Sequence, residues 1–547
     1  MQEEITWKTA PDTHRSDVVA SSRDALELAK VGKREVLKRR FGLASTIGLA
    51  CTVMLTWEAV IMNISLGLTD GGPSGLVYGY IVIWLGFTST YTAMGELASM
   101  FPVAGGQYHW ASILAPKSSK RFLSHVTGSI CVIGWIAAPT AAIYLAGSVL
   151  QSAIAMNVPD YDPKGWHVTF IMWGILLCCA ILNTWLGMIL PAVEIFILII
   201  HVIGFFAFLI PLLILGPRAD PKSVFDLPFN YGSWTDITLA TLIGMKGTVA
   251  AFLGTDGAVH VGRNLRRLYF HYTPKLTPLL KKMAEEVGNS TLVVPQSMLF
   301  AMIINGVLGF AILLGFLFTA GDLTTIVESN AAYPFIQILE SSTKSKAAAV
   351  VLSSMLAIMQ AFAGLAALSS GSRMLWSFSR EQAIPGWRWI RQVNRRNAVP
   401  FNSTCIVVIA GGLLSLINIG SSVVLNIILS LVLEAFFSSY IISLSLLLYR
   451  RLNGDISTPN QNDKNRFVWG PFRIKGWLGV VNNVFAIAFS VVMFFFGCWP
   501  PMVDPEPEDM NYSIAIFGGV TILAVLYYLG WARKNYQGPV TEVQVAS

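Results

Sequence analysis

Apolar runs long enough to cross a hydrocarbon core alternate with shorter polar connections along this chain, and there are twelve of them. They cover residues 43–67, 74–98, 122–156, 167–187, 189–216, 236–260, 293–320, 346–372, 402–420, 422–449, 477–500 and 512–532. The pattern predicts an all-α polytopic membrane protein with 12 transmembrane helices. The third run is long enough to tilt or to lie partly in the interface. Two runs interrupt their own pattern. The first carries Thr56, Trp57 and Glu58 in mid-run, and the sixth carries Gly254, Thr255, Asp256 and Gly257 within AAFLGTDGAVH. An ionisable side chain inside a span costs several kcal/mol and faces a bundle interior or a water-filled cavity, which marks Glu58 as a functional candidate. The plain alternative is a protonated or paired carboxyl that only holds helices together. Glycine and polar residues in two corresponding spans are the sign of discontinuous helices in an inverted-repeat carrier, where bared backbone groups hold a small charged solute. A glycine by itself would mean only close helix packing.

Composition agrees: 547 residues that are 54% hydrophobic and 13% charged, with a mean hydropathy of +0.59, are too apolar for a soluble multidomain protein. The net charge of +7 does not point to nucleic acid, because the basic residues sit in the connections and orient the chain. One set of alternate connections holds 32 Lys and Arg, the other holds five, and Lys246 lies within a span, which accounts for all 38. Both termini are therefore expected in the cytoplasm, with residues 1–40 and 533–547 as tails and the plasma membrane as the expected location. The first tail lacks the apolar segment of a secretory signal, so the first span itself is expected to direct insertion. The six cysteines lie in apolar runs without metal-ligand spacing, and neither a metal nor a cofactor is expected. Asn511-Tyr512-Ser513 is a glycosylation acceptor by pattern, very close to the last span.

Six stretches carry a resemblance: TWEAVIMNISLGLTDGGPSGLVYG (56–79), GELASMFPVAGGQYHW (95–110), MAEEV (283–287), SRMLWSFSREQAIPGW (372–387), WGPFRI (469–474) and EDMNYSIAIFGG (508–519). Through them the chain resembles the amino acid, polyamine and organocation permeases, and within those the fungal amino acid/choline transporters that include choline and GABA permeases. The resemblance implies a leucine-transporter-like fold, with inverted five-helix repeats at 41–216 and 233–449 and two extra helices at 477–532. It also implies a substrate site between the two breaks, formed by Leu55, Thr56, Trp57 and Glu58 with Gly254, Thr255 and Asp256. Many relatives carry a glycine-rich turn at the first break, whose N–H groups take a carboxylate. Thr56-Trp57-Glu58 stands there instead, which disfavours a simple α-amino acid and favours a cationic amine or a solute arriving with a proton. Trp57 is either a stacking partner for an ammonium or an ordinary packing aromatic.

No GxxxxGK[ST] motif is present, so an ion gradient is the expected energy source. Several proton-coupled relatives use a lysine in the fifth span, and aligning AVEIFILIIHV places His201 there. His201 is the proton-coupling candidate, with Glu194 two turns earlier sharing its face. A lone membrane histidine is also often just hydrogen-bonded to a neighbouring backbone. The expected function is proton symport of a small nitrogenous solute such as an amino acid, GABA or choline. A non-transporting nutrient sensor and a carrier for a polyamine or specialised metabolite are the alternatives. An enzyme is not expected, since the connections lack clustered His, Cys or paired Asp. Residues 261–282 interrupt the inner half of the sixth helix and contain Pro274 and Pro278; they read as a translated intron, or else as a basic loop near anionic lipid.

Overall fold

The structure, a computed structural model, describes residues 43–158, 160–187, 189–261, 290–328, 333–394, 399–420, 424–458, 466–507 and 510–538. The N-terminal tail, the interruption at 261–282 beyond Val261 and the last residues of the C-terminal tail lie outside these.

Helices and their connections make up the described residues, and the one sheet among them is a two-residue parallel pairing of Ile456–Ser457 with Phe467–Val468. Apolar runs fold this way in a membrane because only a helix satisfies its backbone within one segment. The first run divides into α1 (Leu43–Met54), α2 (Thr56–Met62) and a further short helix at Ile64–Thr69. Next come α3 (Gly72–Met100), the short α4 (Gln107–Leu114), α5 (Lys120–Asn157), α6 (Gly165–Thr184) and α7 (Leu190–Leu215). The sixth run divides into α8 (Ile237–Gly244), α9 (Lys246–Ala250) and α10 (Gly257–Val261). The remaining long helices are α11 (Ser290–Thr319), α12 (Lys346–Arg380), α13 (Phe401–Ser415), α14 (Val424–Leu452), α15 (Trp477–Gly497) and α16 (Ser513–Tyr527). Among the described residues, ten helical stretches are long and apolar enough to cross a membrane. The third run is a single helix of 38 residues that continues through Pro139.

Side chains sort by depth in the bundle. On α7, Ile199, Ile203, Phe206, Ile210 and Ile214 are exposed, whereas Glu194, Ile197, His201, Phe205 and Phe208 are buried. Helical spacing thus gives α7 one face for lipid and one for the interior. Large aromatics, among them Trp57, Trp135, Tyr80, Tyr91 and Tyr440, fill the centre.

At one end of the bundle the basic residues gather. The Arg450 guanidinium donates to the carbonyls of Leu114 and Ala115, and Arg451 pairs with buried Glu96 at 2.6 Å. Tyr536, beyond α16, is fully buried at this end and shares a 2.6 Å hydrogen bond with Ser124. At the other end Asp70 forms an antiparallel bridge with Asn230, and its carboxylate accepts from the N–H of Gly232.

Candidate functional site

The first break is a single residue. Leu55 takes φ 39° and ψ 55°, a left-handed conformation that costs a non-glycine residue roughly 1–2 kcal/mol, and it ends α1 just before Thr56 starts α2. The expected break at Leu55 to Glu58 is thus sharper than the motif implied, and Thr56, Trp57 and Glu58 form the first turn of α2. The sixth break is wider: residues 251–256 are turns between α9 and α10, and Gly254 at their centre has φ +97°. Only glycine adopts that angle freely.

The two breaks touch. The Thr56 hydroxyl donates to the carbonyl of Ala251 at 2.8 Å, and the Thr255 hydroxyl meets the sulfur of Met54. A Cβ on Gly254 would come within 2.4 Å of Val53 Cγ1, so the second break lies directly on the first helix. Thr56 N–H, which has no acceptor in its own helix, donates to Asn305 Oδ1 on α11 at 3.0 Å. Phe252, inside the wider break, has its carbonyl capped by the Tyr91 hydroxyl at 3.1 Å.

Of the two acids, Glu58 faces α7. Its Oε1 lies 2.8 Å from Nδ1 of His201, and both side chains have no exposure. Glu58 Oε2 and His201 Nε2 have no hydrogen-bond partner among the described residues. Trp57 braces this pair: its Nε1–H donates to the His201 carbonyl at 3.1 Å, and its ring packs against Phe205 and Phe208. Asp256 faces α14 and α4 instead, equally buried, with Oδ1 accepting from the Tyr440 hydroxyl at 2.8 Å and Oδ2 from the Gln107 amide at 2.6 Å.

The structure therefore brings Leu55, Thr56, Gly254, Thr255 and Asp256 together, and sets Glu58, Trp57 and His201 immediately behind them against α7. Glu194 lies two turns earlier on α7, beside Thr52 of α1 and in the field of Arg373. The close approach is permitted by Gly48, where a Cβ would sit 2.7 Å from the Glu194 carbonyl. Lys246 and Glu434 are separate from this group: the Lys246 ammonium donates to the Trp499 carbonyl, and Glu434 accepts from Ser513. No group of three or more His, Cys, Asp or Glu suited to a metal occurs among the described residues. Four contributors escaped the reading of the sequence: Asn305, Gln107, Tyr91 and Tyr440. Asn305 alone had a visible signal, as an amide within the otherwise apolar stretch 298–318.

Residues 41–274 and 279–521 match the family described as amino acid permease. The chain is 25% identical to the choline transporter of Saccharomyces cerevisiae over 91% of its own length and 83% of that protein's. It is 24% identical to amino-acid permease 2 of Neurospora crassa over 98% of its own length and 92% of that protein's. An uncharacterized amino-acid permease of Schizosaccharomyces pombe is 24% identical, over 97% of this chain and 92% of its own.

Proposed function

This chain belongs to the amino acid permease family, and we propose that it imports a small nitrogenous solute together with a proton. It is a multi-pass membrane carrier for amino acids or organocations and not an enzyme. The single observation that carries the symport reading is the Glu58–His201 pair, wholly buried and within one helical turn of the first break. A carboxyl and an imidazole in direct contact can hold one proton between them, so the pair has a place for a proton beside the break. Their placement behind the break means that a change in their charge alters the field at the solute without their touching it.

In this mechanism Asp256 meets the ammonium of the solute. Backbone carbonyls at the end of α1, where the helix stops before Leu55, complete the cradle. Leu55, Thr56, Gly254 and Thr255 act through their backbone and the Thr56 hydroxyl, and Trp57 positions His201 and stays out of the cradle. Glu194, seven residues before His201 on the same face of α7, passes the proton towards the basic end of the bundle. That end is read as cytoplasmic from the distribution of Lys and Arg, and the plasma membrane is the proposed location.

Radiolabelled uptake across external pH, with a competitor panel of amino acids, GABA, choline and polyamines, tests this. Wild-type uptake is expected to rise as external pH falls, and His201→Ala to lose that rise while still binding solute. An unaltered pH profile in His201→Ala sinks the proposal.

A further inference from the structure

The Gln107 side chain has a polar atom left over. Its Nε2 donates to Asp256 Oδ2 at 2.6 Å, an orientation set by the carboxylate, which only accepts when ionised. Its Oε1 is thereby turned elsewhere, and it is buried with no hydrogen-bond partner among the described residues. Gln107 itself is 1% exposed. A buried amide oxygen without a donor costs about 1–3 kcal/mol, which a fold does not retain where a partner is at hand.

The oxygen and nitrogen of one carboxamide are held about 2.3 Å apart by covalent geometry. Oε1 therefore stays within reach of anything bound to Asp256. Tyr440 already supplies a donor to Oδ1, so the site around Asp256 holds two neutral donors, one carboxylate and one unsatisfied acceptor. A ligand that completes this set has a positive charge for the carboxylate and at least one N–H for the amide oxygen. A quaternary ammonium has the charge but no N–H.

Gln107 is also firmly placed. It opens α4 after the turn at 101–106, and that turn is held to α10 by a 2.8 Å hydrogen bond from His260 Nδ1 to the Ala104 carbonyl. Gly106, with φ +54°, lets the turn lie against His260, since a Cβ there would come 3.0 Å from its ring. The amide thus reaches Asp256 from a fixed support.

We propose that Gln107 is a specificity-determining residue which, with Asp256, selects solutes whose nitrogen carries N–H over quaternary ammonium compounds. This rests on the reading above that Asp256 meets the solute. It assigns the chain a protonated primary, secondary or tertiary amine, with choline a poor solute.

The test is competition at one fixed pH on the full chain in proteoliposomes. Primary amines (GABA, alanine, putrescine) are paired with their N-trimethylated counterparts, choline is added, and each compound's half-inhibiting concentration is read against the labelled solute. Wild-type carrier is expected to favour the primary member of the responding pair by at least about tenfold. Gln107→Leu is expected to bring that ratio close to one, while a residue that only supported the fold would weaken both members alike. A wild-type ratio near or below one overturns the proposal, whether or not the variant folds. So does a ratio unchanged in Gln107→Leu, or a panel in which no primary amine competes. Because pH is fixed, failure of proton coupling leaves the ratio intact. A collapsed ratio with a normal pH profile leaves the symport reading intact.

Discussion

Nδ1 of His201 and Oε1 of Glu58 lie 2.8 Å apart across the contact between α2 and α7, both without exposure. Removing one member of a buried pair leaves the other uncompensated, at a cost of about 3–5 kcal/mol, while replacing both with apolar groups costs much less. Glu58→Leu and His201→Leu are each expected to lower the melting temperature of the purified carrier sharply, and the double variant to recover most of the loss. Additive losses in that double-mutant cycle would mean the two side chains are not a pair.

Asn305 on α11 accepts the N–H of Thr56, the first backbone donor of α2. Asn305→Leu leaves that donor buried and unpaired, a cost of about 1–3 kcal/mol at the point where the first helix restarts. Uptake is expected to show a raised KM at unchanged surface abundance, with a modest fall in thermal stability. Abundance loss without a KM change would assign Asn305 to folding alone.

Gly254→Ala combines two penalties. The φ of +97° disfavours any Cβ, and that Cβ meets Val53 Cγ1 at 2.4 Å. Uptake by this variant is expected to be nearly abolished. Adding Val53→Ala removes the collision but not the backbone cost, so a partial return is expected. Full activity in Gly254→Ala would show that the break is not needed in this form.

At the end opposite the basic residues, burial raises the Asp70 carboxyl from 3.8 to about 6, opposed by the hydrogen bond from Gly232. A carboxyl raised on folding favours the folded state below its unfolded value, and that contribution is lost as pH rises through about 6. The solubilised carrier is therefore expected to melt higher at pH 5 than at pH 7.5, and Asp70→Asn to flatten this difference. An identical pH difference in Asp70→Asn would assign it to other groups.

The distribution of apolar residues determined the larger architecture, because the bilayer leaves a long apolar segment little choice but a helix. The interruption at Thr56-Trp57-Glu58 and the glycine in AAFLGTDGAVH likewise announced two broken helices, since polar and flexible residues at mid-span have few other uses. Helical spacing also placed Glu194 and His201 on one face of α7. The tertiary structure decided which groups meet. Nothing local to Glu58 says that it turns to His201, 143 positions away, and nothing in GGQYHW says that Gln107 reaches Asp256, 149 positions away. Such pairings follow from how the helices cross and from which small residues, Gly48 above all, let two backbones come close. Periodicity along one chain carries the face of a helix but not its neighbour.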